Sequence, residues 1–380
     1  QPVGAFLTTS ADRGRSFSAP VRLLGPSNYG VQMAMDRGWG RRGRLHLVWL
    51  RASAPVAVGG LPPTDNPVVS AYSDDCGASF SAPVRVSDPT RGRVVGPSLA
   101  LGPDHRVHVA YLDLGADSRD YQGLAGPAWT EPWTLVVAAS SDGGSSFSAG
   151  RVVSDRLVPA QRVMLIFTLA PVAIAAWADR LCLAWDDARD GDDDVFARCG
   201  QAAGTVWGPV VRVNQDPVGN GHRQYLPALS VSAGGRLDVA YLERPDSLGT
   251  TNQAVYTYSR DDGRTFAPSI ALADTASSAF VGTRYGVPSA EDQVEFGSRL
   301  GLLSRPHGVL AAWPDTRNSS HTTDQDIFSA QVEFSSSWDP ARTAIGAAAV
   351  VLAVLIVARE VRRRRAGVRI EGGIDFHQTT

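Results

Sequence analysis

An eight-residue pattern that occurs four times constrains the fold of this chain more than any other feature. The pattern is Ser-x-Asp-x-Gly-x-Ser/Thr-Phe, and its copies are residues 10–17, 73–80, 140–147 and 259–266. Short polar side chains before a glycine favour a tight turn, because they bond local backbone N–H groups while the glycine takes φ > 0. Strand-like runs flank each copy. Each copy is therefore predicted to be a turn that joins two antiparallel strands.

The four turns resemble the Asp box of the sialidase-type β-propellers. The aspartates that carry this resemblance are Asp12, Asp75, Asp142 and Asp261. The resemblance covers residues 1 to about 338 and implies an all-β fold. In this interpretation the boxes are structural and do not form the site.

The spacing of the boxes predicts the number of repeats. The closing aromatics are Phe17, Phe80, Phe147 and Phe266, and two degenerate copies keep only Trp207 and Trp338. Successive members lie between 59 and 72 residues apart. Evenly spaced units of this length indicate six blades, each a four-stranded antiparallel sheet around a central channel.

A second repeated element consists of alternating apolar and polar runs joined by a short turn, the signature of a hairpin with one buried face. Its copies are residues 97–113, 171–186, 227–243 and, more loosely, 31–51 and 298–315. We interpret them as the inner two strands of each blade. The sequence contains five inner strand pairs but six outer hairpins, so the first unit is expected to begin at its third strand. Either sequence upstream of Gln1 has been lost, or the ring closes in another way.

Composition agrees with one large β domain over residues 1–338. The 380 residues include 38 glycines and 24 prolines, and 43% are hydrophobic. A net charge of −2 without a basic stripe argues against a nucleic-acid partner. All basic residues except histidine are arginine, which indicates a genomic composition bias and leads us to expect a bacterial protein.

One segment breaks the β pattern. After a linker at 339–342, residues 343–358 contain no charge and are followed by an arginine-rich tail at 359–380. At ~1.5 Å per residue such a helix is slightly shorter than the hydrocarbon core, and flanking arginines can snorkel. We expect a single transmembrane helix. Positive residues favour the cytoplasm, which places the tail inside and the propeller outside, in an extracellular or periplasmic location.

Cysteine placement is consistent with that location. Cys182 and Cys199 lie at equal distances from one predicted hairpin turn, so they could face each other across two strands. A cross-strand disulfide and two small buried thiols both fit this placement. Cys76 lies inside a box and would be free. A second apolar run, 163–177, contains Pro171 where the other repeats start an inner strand, so it is interpreted as part of a blade.

Ligand sites in propellers gather around the channel mouth, so the face opposite the boxes is the predicted functional face. Two versions of one loop, Trp-x-Asp-x-Arg followed by Asp-hydrophobic-Phe, lie there. They contribute the ligand-binding candidates Asp187, Arg189, Asp315 and Arg317. An ion pair that locks each loop is the alternative interpretation. Asp190, Asp192 and Asp194 also offer enough oxygen ligands for calcium, without an EF-hand frame.

The resemblance to sialidases implies arginines that clamp a substrate carboxylate and a tyrosine nucleophile paired with a glutamate. Residues with this chemistry lie in the blade connections. The catalytic candidates are Arg223, Arg284, Tyr285, Glu295 and Arg299, and Tyr225 is a ligand-binding candidate. The chain lacks the Arg-Ile-Pro motif of the sialidases, and Asp65 is only a loop candidate for the catalytic aspartate.

Two classes of function follow. The first is a non-catalytic, membrane-anchored propeller that binds a glycan or a protein, as a module or an accessory subunit of a membrane assembly. The second is an exo-sialidase-type glycoside hydrolase with a retaining mechanism. Because the arginine motif is missing and fold does not fix function, the sequence favours the first class.

Overall fold

The structure is a computed structural model. It describes residues 3–36, 43–53, 65–115, 132–158, 172–245, 250–278, 300–318 and 326–334. The described residues form 22 β-strands in six sheets, and every paired strand runs antiparallel to its partner. The all-β prediction is therefore confirmed for these residues.

The first sheet is a lone hairpin that contains the first Asp box. Its strands are β1 (Ala5–Leu7) and β2 (Val21–Leu24). The sequence predicted that the first unit would begin at its third strand. The box joins the third strand to the fourth in the other box-bearing sheets, so β1 and β2 correspond to those two strands. That the unit begins at its third strand stays a prediction.

The next three sheets each have four strands in sequence order. The second sheet comprises β3 (Asn28–Met35), β4 (Leu45–Arg51), β5 (Val68–Ser73) and β6 (Val84–Arg85). The third sheet comprises β7 (Val94–Leu101), β8 (Val107–Asp113), β9 (Trp133–Ser140) and β10 (Arg151–Leu157). The fourth sheet comprises β11 (Ala173–Trp177), β12 (Arg180–Asp187), β13 (Asp194–Gln201) and β14 (Val211–Arg212).

The last two sheets vary this plan. The fifth comprises β15 (Arg223–Val231), β16 (Leu237–Arg244), β17 (Thr251–Ser259) and β18 (Ile270–Ala271), and the short β19 (Ser277–Ser278) also pairs with β17. The sixth comprises β20 (Gly301–Arg305), β21 (Gly308–Asp315) and β22 (Asp326–Glu333). The apolar run 163–177, which the sequence analysis interprets as part of a blade, ends in strand β11, and its residues 163–171 lie outside the described residues.

The first strand of each sheet contacts the first strand of the next sheet, in the order β3, β7, β11, β15, β20. The sheets therefore stand side by side around their first strands, as blades do. Apolar side chains fill the seams between them. Leu181, Leu183 and Trp185 of the fourth sheet share a core with Tyr111 and Val136 of the third.

Polar contacts tie neighbouring sheets together at the end that carries the boxes. Arg44, after the β3–β4 turn, pairs with Asp74 at 2.6 Å and donates to the carbonyl of Gly143 in the next sheet's box. Arg180 pairs with Asp262 of the following box at 3.3 Å. The boxes and the turns between first and second strands therefore share one face, as the sequence predicted.

No helix within the described residues is long and apolar enough to cross a membrane. The predicted transmembrane segment 343–358, the linker 339–342, the tail 359–380 and the closing residue Trp338 all lie outside the described residues. The anchor stays a prediction.

Candidate functional site

Each Asp box satisfies its own polar groups. In the second copy the Asp75 carboxylate accepts hydrogen bonds from the backbone N–H and the hydroxyl of Ser79, and from the hydroxyl of Ser73. The Ser73 hydroxyl in turn accepts from the N–H of Gly77 at 2.8 Å. The bonds from Ser79 are the main cause that lowers the pKa of Asp75 to about 2. The box is thus a turn that is closed by its own serine and aspartate side chains.

The Trp-x-Asp-x-Arg loops are locked by internal ion pairs. Asp187 is fully buried; it pairs with the guanidinium of Arg189 and accepts a hydrogen bond from the Nε1 of Trp185. Asp315 repeats this geometry with Arg317, at 2.7 Å, and with Trp313, at 3.0 Å. The locking interpretation is confirmed. The same contacts engage the four ligand-binding candidates of these loops, Asp187, Arg189, Asp315 and Arg317, with one another.

Two further arginines on the loop face also form ion pairs with aspartates of the protein. Arg91 pairs with Asp113, and Arg212 pairs with the buried Asp194 at 2.7 Å. Asp65, the loop candidate for a catalytic aspartate, pairs with Arg85 at 2.8 Å. These guanidinium groups are neutralised by carboxylates of the protein itself. They do not assemble a clamp for a substrate carboxylate.

The three candidate calcium ligands are not brought together. Asp192 accepts hydrogen bonds from the N–H groups of Gly219 and Gly221, which tie its loop to the next blade connection. Asp194 is bonded to Arg212 and Asn214 on the neighbouring strand and connection. In the part of the chain that the structure describes, no group of three or more His, Cys, Asp or Glu side chains is placed to hold a metal ion. The calcium prediction, which included Asp190, is not supported by these residues.

A different constellation lies where the fourth sheet meets the fifth. Asp186, next to the end of β12, lies near the backbone N–H of Leu226 on β15, which favours the charged form of its carboxyl. Desolvation raises the pKa of Asp186 to about 6. The ring of the adjacent Tyr225 lies 5.5 Å from the guanidinium carbon of Arg244. A carboxyl, a phenol and a guanidinium thus converge at one seam.

Partners on the fifth sheet fix the tyrosine. Its hydroxyl donates to the Oδ1 of Asn252 on β17. Desolvation raises the pKa of Tyr225 to about 12, and Arg244 opposes that shift. A phenol with this pKa is a hydrogen-bonding group at neutral pH and is poorly suited to act as a nucleophile. Arg223, a catalytic candidate, lies directly opposite Arg244 in the β15–β16 pairing.

Asp186 and Arg244 stand at positions that are apolar in other sheets. The strand registers align Asp186 with Leu50, Leu112 and Leu242, which are all buried. The same registers align Arg244 with the fully buried Leu114. Placing charge at core positions works against stability, and such local conflicts concentrate at functional sites.

The backbone beside this constellation is also unusual. Strands β3, β7 and β15 each contain a bulge, with a residue at positive φ in the same place. That residue is Gly30 (φ 59°) in β3 and Gly96 (φ 58°) in β7, but Leu226 (φ 56°) in β15. A side chain in this region costs about 1–2 kcal/mol, because its Cβ approaches the following carbonyl oxygen. The backbone N–H near Asp186 belongs to this strained residue, Leu226.

Sequence reasoning placed Tyr225 among the candidates but missed Asp186, Arg244 and Leu226. Aligning Tyr111-Leu112 with Tyr241-Leu242 in the sequence would have placed Leu226 opposite Gly96, and Arg244 opposite Leu114. The remaining catalytic candidates, Arg284, Tyr285, Glu295 and Arg299, lie outside the described residues.

The fold is a sialidase-like, Asp-box β-propeller. Its antiparallel sheets stand side by side, the first strand of each contacts the first strand of the next, and the hydrogen-bonded Asp boxes lie on one face. No family model and no curated protein matches the chain.

Solved structures of this kind are similar to the chain. The microbial sialidase Hz136 has 11% identity and a TM-score of 0.48, over 80% of this chain and 56% of its own. The Penicillium chrysogenum alpha-L-arabinanase has 17% identity and a TM-score of 0.48, over 80% and 81% of the two chains. The Ruminococcus gnavus intramolecular trans-sialidase has 11% identity and a TM-score of 0.46, over 81% and 86%. Because these TM-scores lie below 0.5, the likenesses carry no conclusion about activity.

Proposed function

We propose that the chain is a six-bladed, membrane-tethered propeller that binds a glycan outside the cytoplasm, through the face opposite its Asp boxes. The observation that carries this proposal is the placement of Asp186 and Arg244 at positions equivalent to buried leucines, on either side of Tyr225. A hydrogen-bond acceptor, a donor and an aromatic ring at one mouth suit the hydroxyls and the flat faces of a sugar.

The paired arginines favour binding over sialidase chemistry. An exo-sialidase needs guanidinium groups that are available to a substrate carboxylate. Arg91, Arg189, Arg212 and Arg317 are each engaged by an aspartate of the protein. A neutral glycan, or one read through hydroxyl groups, is therefore the better ligand class. A protein ligand on the same face is the alternative within this class.

One observation favours a second candidate, a glycoside hydrolase. A carboxyl with its pKa raised to about 6 is suited to donate a proton to a leaving oxygen. Asp186 would be that acid. The sialidase-type activity implied by the sequence resemblance is the form of this candidate to test first.

The experiment uses the full chain in detergent on an array of neutral and acidic glycans. Asp186→Leu and Arg244→Leu restore the residue type of the equivalent positions, so both should keep or raise stability. We expect each to weaken glycan binding at least tenfold. The control is Asp262→Asn on the box face, which should bind as the parent does. Unchanged binding in both leucine variants, or capture of no glycan, would contradict the proposed site.

The same proteins separate the two candidates when they are incubated with fluorogenic sialosides and arabinosides. A binding module shows no turnover. Turnover by the parent that is lost in Asp186→Leu, with the fold intact by circular dichroism, would establish the hydrolase instead. Fractionation of cells that express the chain with and without residues 343–358 tests the proposed anchor.

A further inference from the structure

The residue that precedes the bulge of a first strand has a different environment in the fifth sheet. The strand registers place Tyr29, Val95 and Tyr225 at equivalent positions, each directly before the positive-φ residue of its bulge. Tyr29 and Val95 are buried, at 5% and 0% exposure, in a core shared by the second, third and fourth sheets. Tyr225 is only partly buried. One position thus holds a core side chain in two blades and a partly exposed phenol in another.

The bulge residues themselves show the opposite trend. Gly30, which follows Tyr29, has no side chain, and the tyrosine ring fills the seam instead. Leu226, which follows Tyr225, is 6% exposed and belongs to the core between the fifth and sixth sheets, together with Trp313. Where glycine forms the bulge, the preceding side chain fills the core. Where leucine forms it, the leucine fills the core.

The leucine adopts this backbone conformation at a cost. At φ 56° the Cβ of an L-residue approaches the following carbonyl oxygen, a contact that glycine avoids. Strained residues persist only where their surroundings fix them, and bulges re-aim side chains next to sites. Burial alone does not explain Leu226, because Tyr29 before Gly30 shows that the preceding side chain can fill such a seam. The leucine therefore has a role that glycine could not take.

We propose that Leu226 is a positioning residue, whose buried side chain keeps Tyr225 out of the core and holds its phenol at the face opposite the boxes. The inference rests on the proposed function, since it concerns the same site. Outside the seam, the Tyr225 hydroxyl donates to Asn252, and its ring lies 5.5 Å from the guanidinium carbon of Arg244. The backbone N–H of Leu226 also lies near Asp186. One residue thereby places the phenol beside the carboxyl.

This role defines the ligand contact that depends on the leucine. With glycine at position 226, Tyr225 would fill the seam as Tyr29 does, and the site would lose its aromatic ring. A sugar that packs the flat face of its ring on the tyrosine requires Leu226. A ligand held only through Asp186 and Arg244 does not.

The first measurement needs no ligand. Hydroxyl-radical footprinting with mass spectrometry reports the exposure of single tyrosine side chains in the full chain in detergent. Leu226→Gly should lower the reactivity of Tyr225 at least threefold, and Leu226→Met should keep the parent's value. The reciprocal change, Gly30→Leu, should raise the reactivity of Tyr29. Leu272→Ala, which removes volume from the same core, is the matched control and should lower the denaturation midpoint without changing Tyr225.

The second measurement is capture by the array of neutral and acidic glycans. Leu226→Gly should weaken the capture of a neutral glycan at least tenfold. Leu226→Met and Leu272→Ala should bind as the parent does. The conservative variant therefore separates the positioning of Tyr225 from a general loss of core packing.

The outcomes separate this inference from the proposed function. Unchanged reactivity of Tyr225 in Leu226→Gly would overturn the inference, whether or not a glycan binds. Lowered reactivity with unchanged glycan capture would also overturn it, because the leucine would then be structural only. If Leu226→Gly does not fold, unchanged reactivity of Tyr29 in Gly30→Leu would overturn it instead. Capture of no glycan by the parent would contradict the proposed function, and footprinting would still decide whether Leu226 positions the ring.

Discussion

Cys182 and Cys199 are direct cross-strand partners on β12 and β13 and are joined by a disulfide. Both are buried, at 0% and 5% exposure, in a seam that they share with Leu237 of the next sheet. The bond therefore closes a short loop inside the core and leaves Cys76, the exposed cysteine, free.

Removing this bond is expected to destabilise the protein. The chain between the two cysteines spans 17 positions, and closing a loop of that size contributes about 3 kcal/mol by restricting the unfolded chain. Cys182→Ala with Cys199→Ala should lower the denaturation midpoint, and a reductant should do the same to the parent. Guanidinium unfolding measures both. Cys76→Ala is the control, and a midpoint shift in that variant alone would contradict the pairing.

Gly263 packs directly against this disulfide. A Cβ at Gly263 would come within 2.6 Å of the sulfur of Cys199, and its φ is +75°. Gly14, the equivalent glycine of the first box, has φ +84° with nothing within 4 Å. Gly14→Ala should therefore cost only backbone strain, about 1 kcal/mol. Gly263→Ala should cost about 2 kcal/mol more, because overpacking adds to the strain.

Equal losses in the two glycine variants would show that the contact with Cys199 is relaxed in solution. Thermal unfolding of both variants beside the parent gives the comparison. The experiment also distinguishes strain from packing, because the two glycines share one turn geometry and differ in their neighbours.

His108, on β8, should make stability depend on pH. Desolvation of the buried ring lowers its pKa from 6.5 to about 4, so the folded protein keeps it neutral. The unfolded chain takes up a proton below pH 6.5, so stability is full above that pH and is lost toward pH 4. At pH 5 the loss from this group is about 2 kcal/mol.

The pH profile of the unfolding free energy tests this prediction. His108→Leu should lose less stability than the parent between pH 7 and pH 5. His307→Gln, on the exposed β20–β21 turn, should retain the parent's slope. Parallel slopes for the His108 variant and the parent would mean that the ring is accessible to protons in the folded state.

Breaking the ion pair of one locked loop should cost stability in proportion to burial. Arg189→Met leaves the fully buried Asp187 without its cation and should cost about 3 kcal/mol. The double variant with Asp187→Asn should recover part of that loss. Arg85→Met removes an ion pair whose aspartate side chain is 70% exposed, so it should cost less than about 1 kcal/mol.

Denaturant midpoints of these variants measure how much unfolding free energy is lost with each ion pair. Glycan binding, measured on the same samples, should be unchanged once the fold is intact. A binding loss in Arg189→Met without a stability loss would return this arginine to the list of ligand contacts.

The features predicted from the sequence are those whose determinants are local. Every contact that closes the second box lies between Ser73 and Ser79, so the sequence pattern already contains the turn. The locked loop of Asp187 and Arg189 is likewise local, and its interpretation as an ion pair is confirmed. Cross-strand symmetry left the state of Cys182 and Cys199 open, because spacing alone does not distinguish a disulfide from two thiols.

The features that were missed depend on contacts between sheets. Asp186 and Leu226 lie on different blades, and no period of the sequence links them. The partners of the aspartates proposed for calcium were not predictable from the sequence for the same reason. A run of aspartates in the sequence shows how many carboxylate oxygens are available but not which groups they contact. Asp194 pairs with Arg212 on the next strand, and Asp192 accepts a hydrogen bond from Gly219 in the next blade connection.

The closed hydrogen bonding of the Asp boxes has a consequence for how such a chain can change. Because Ser140 and Asp142 bond the turn within eight residues, the turn geometry does not depend on which blade carries it, and the turn can recur along the chain. The opposite end is not repeated in this way, since Asp186 lies beside the backbone of a neighbouring blade at a position where other sheets carry leucine. Within this chain the Asp-box end of a blade is therefore the repeated end, and the opposite end is where the blades differ in sequence and can differ in specificity.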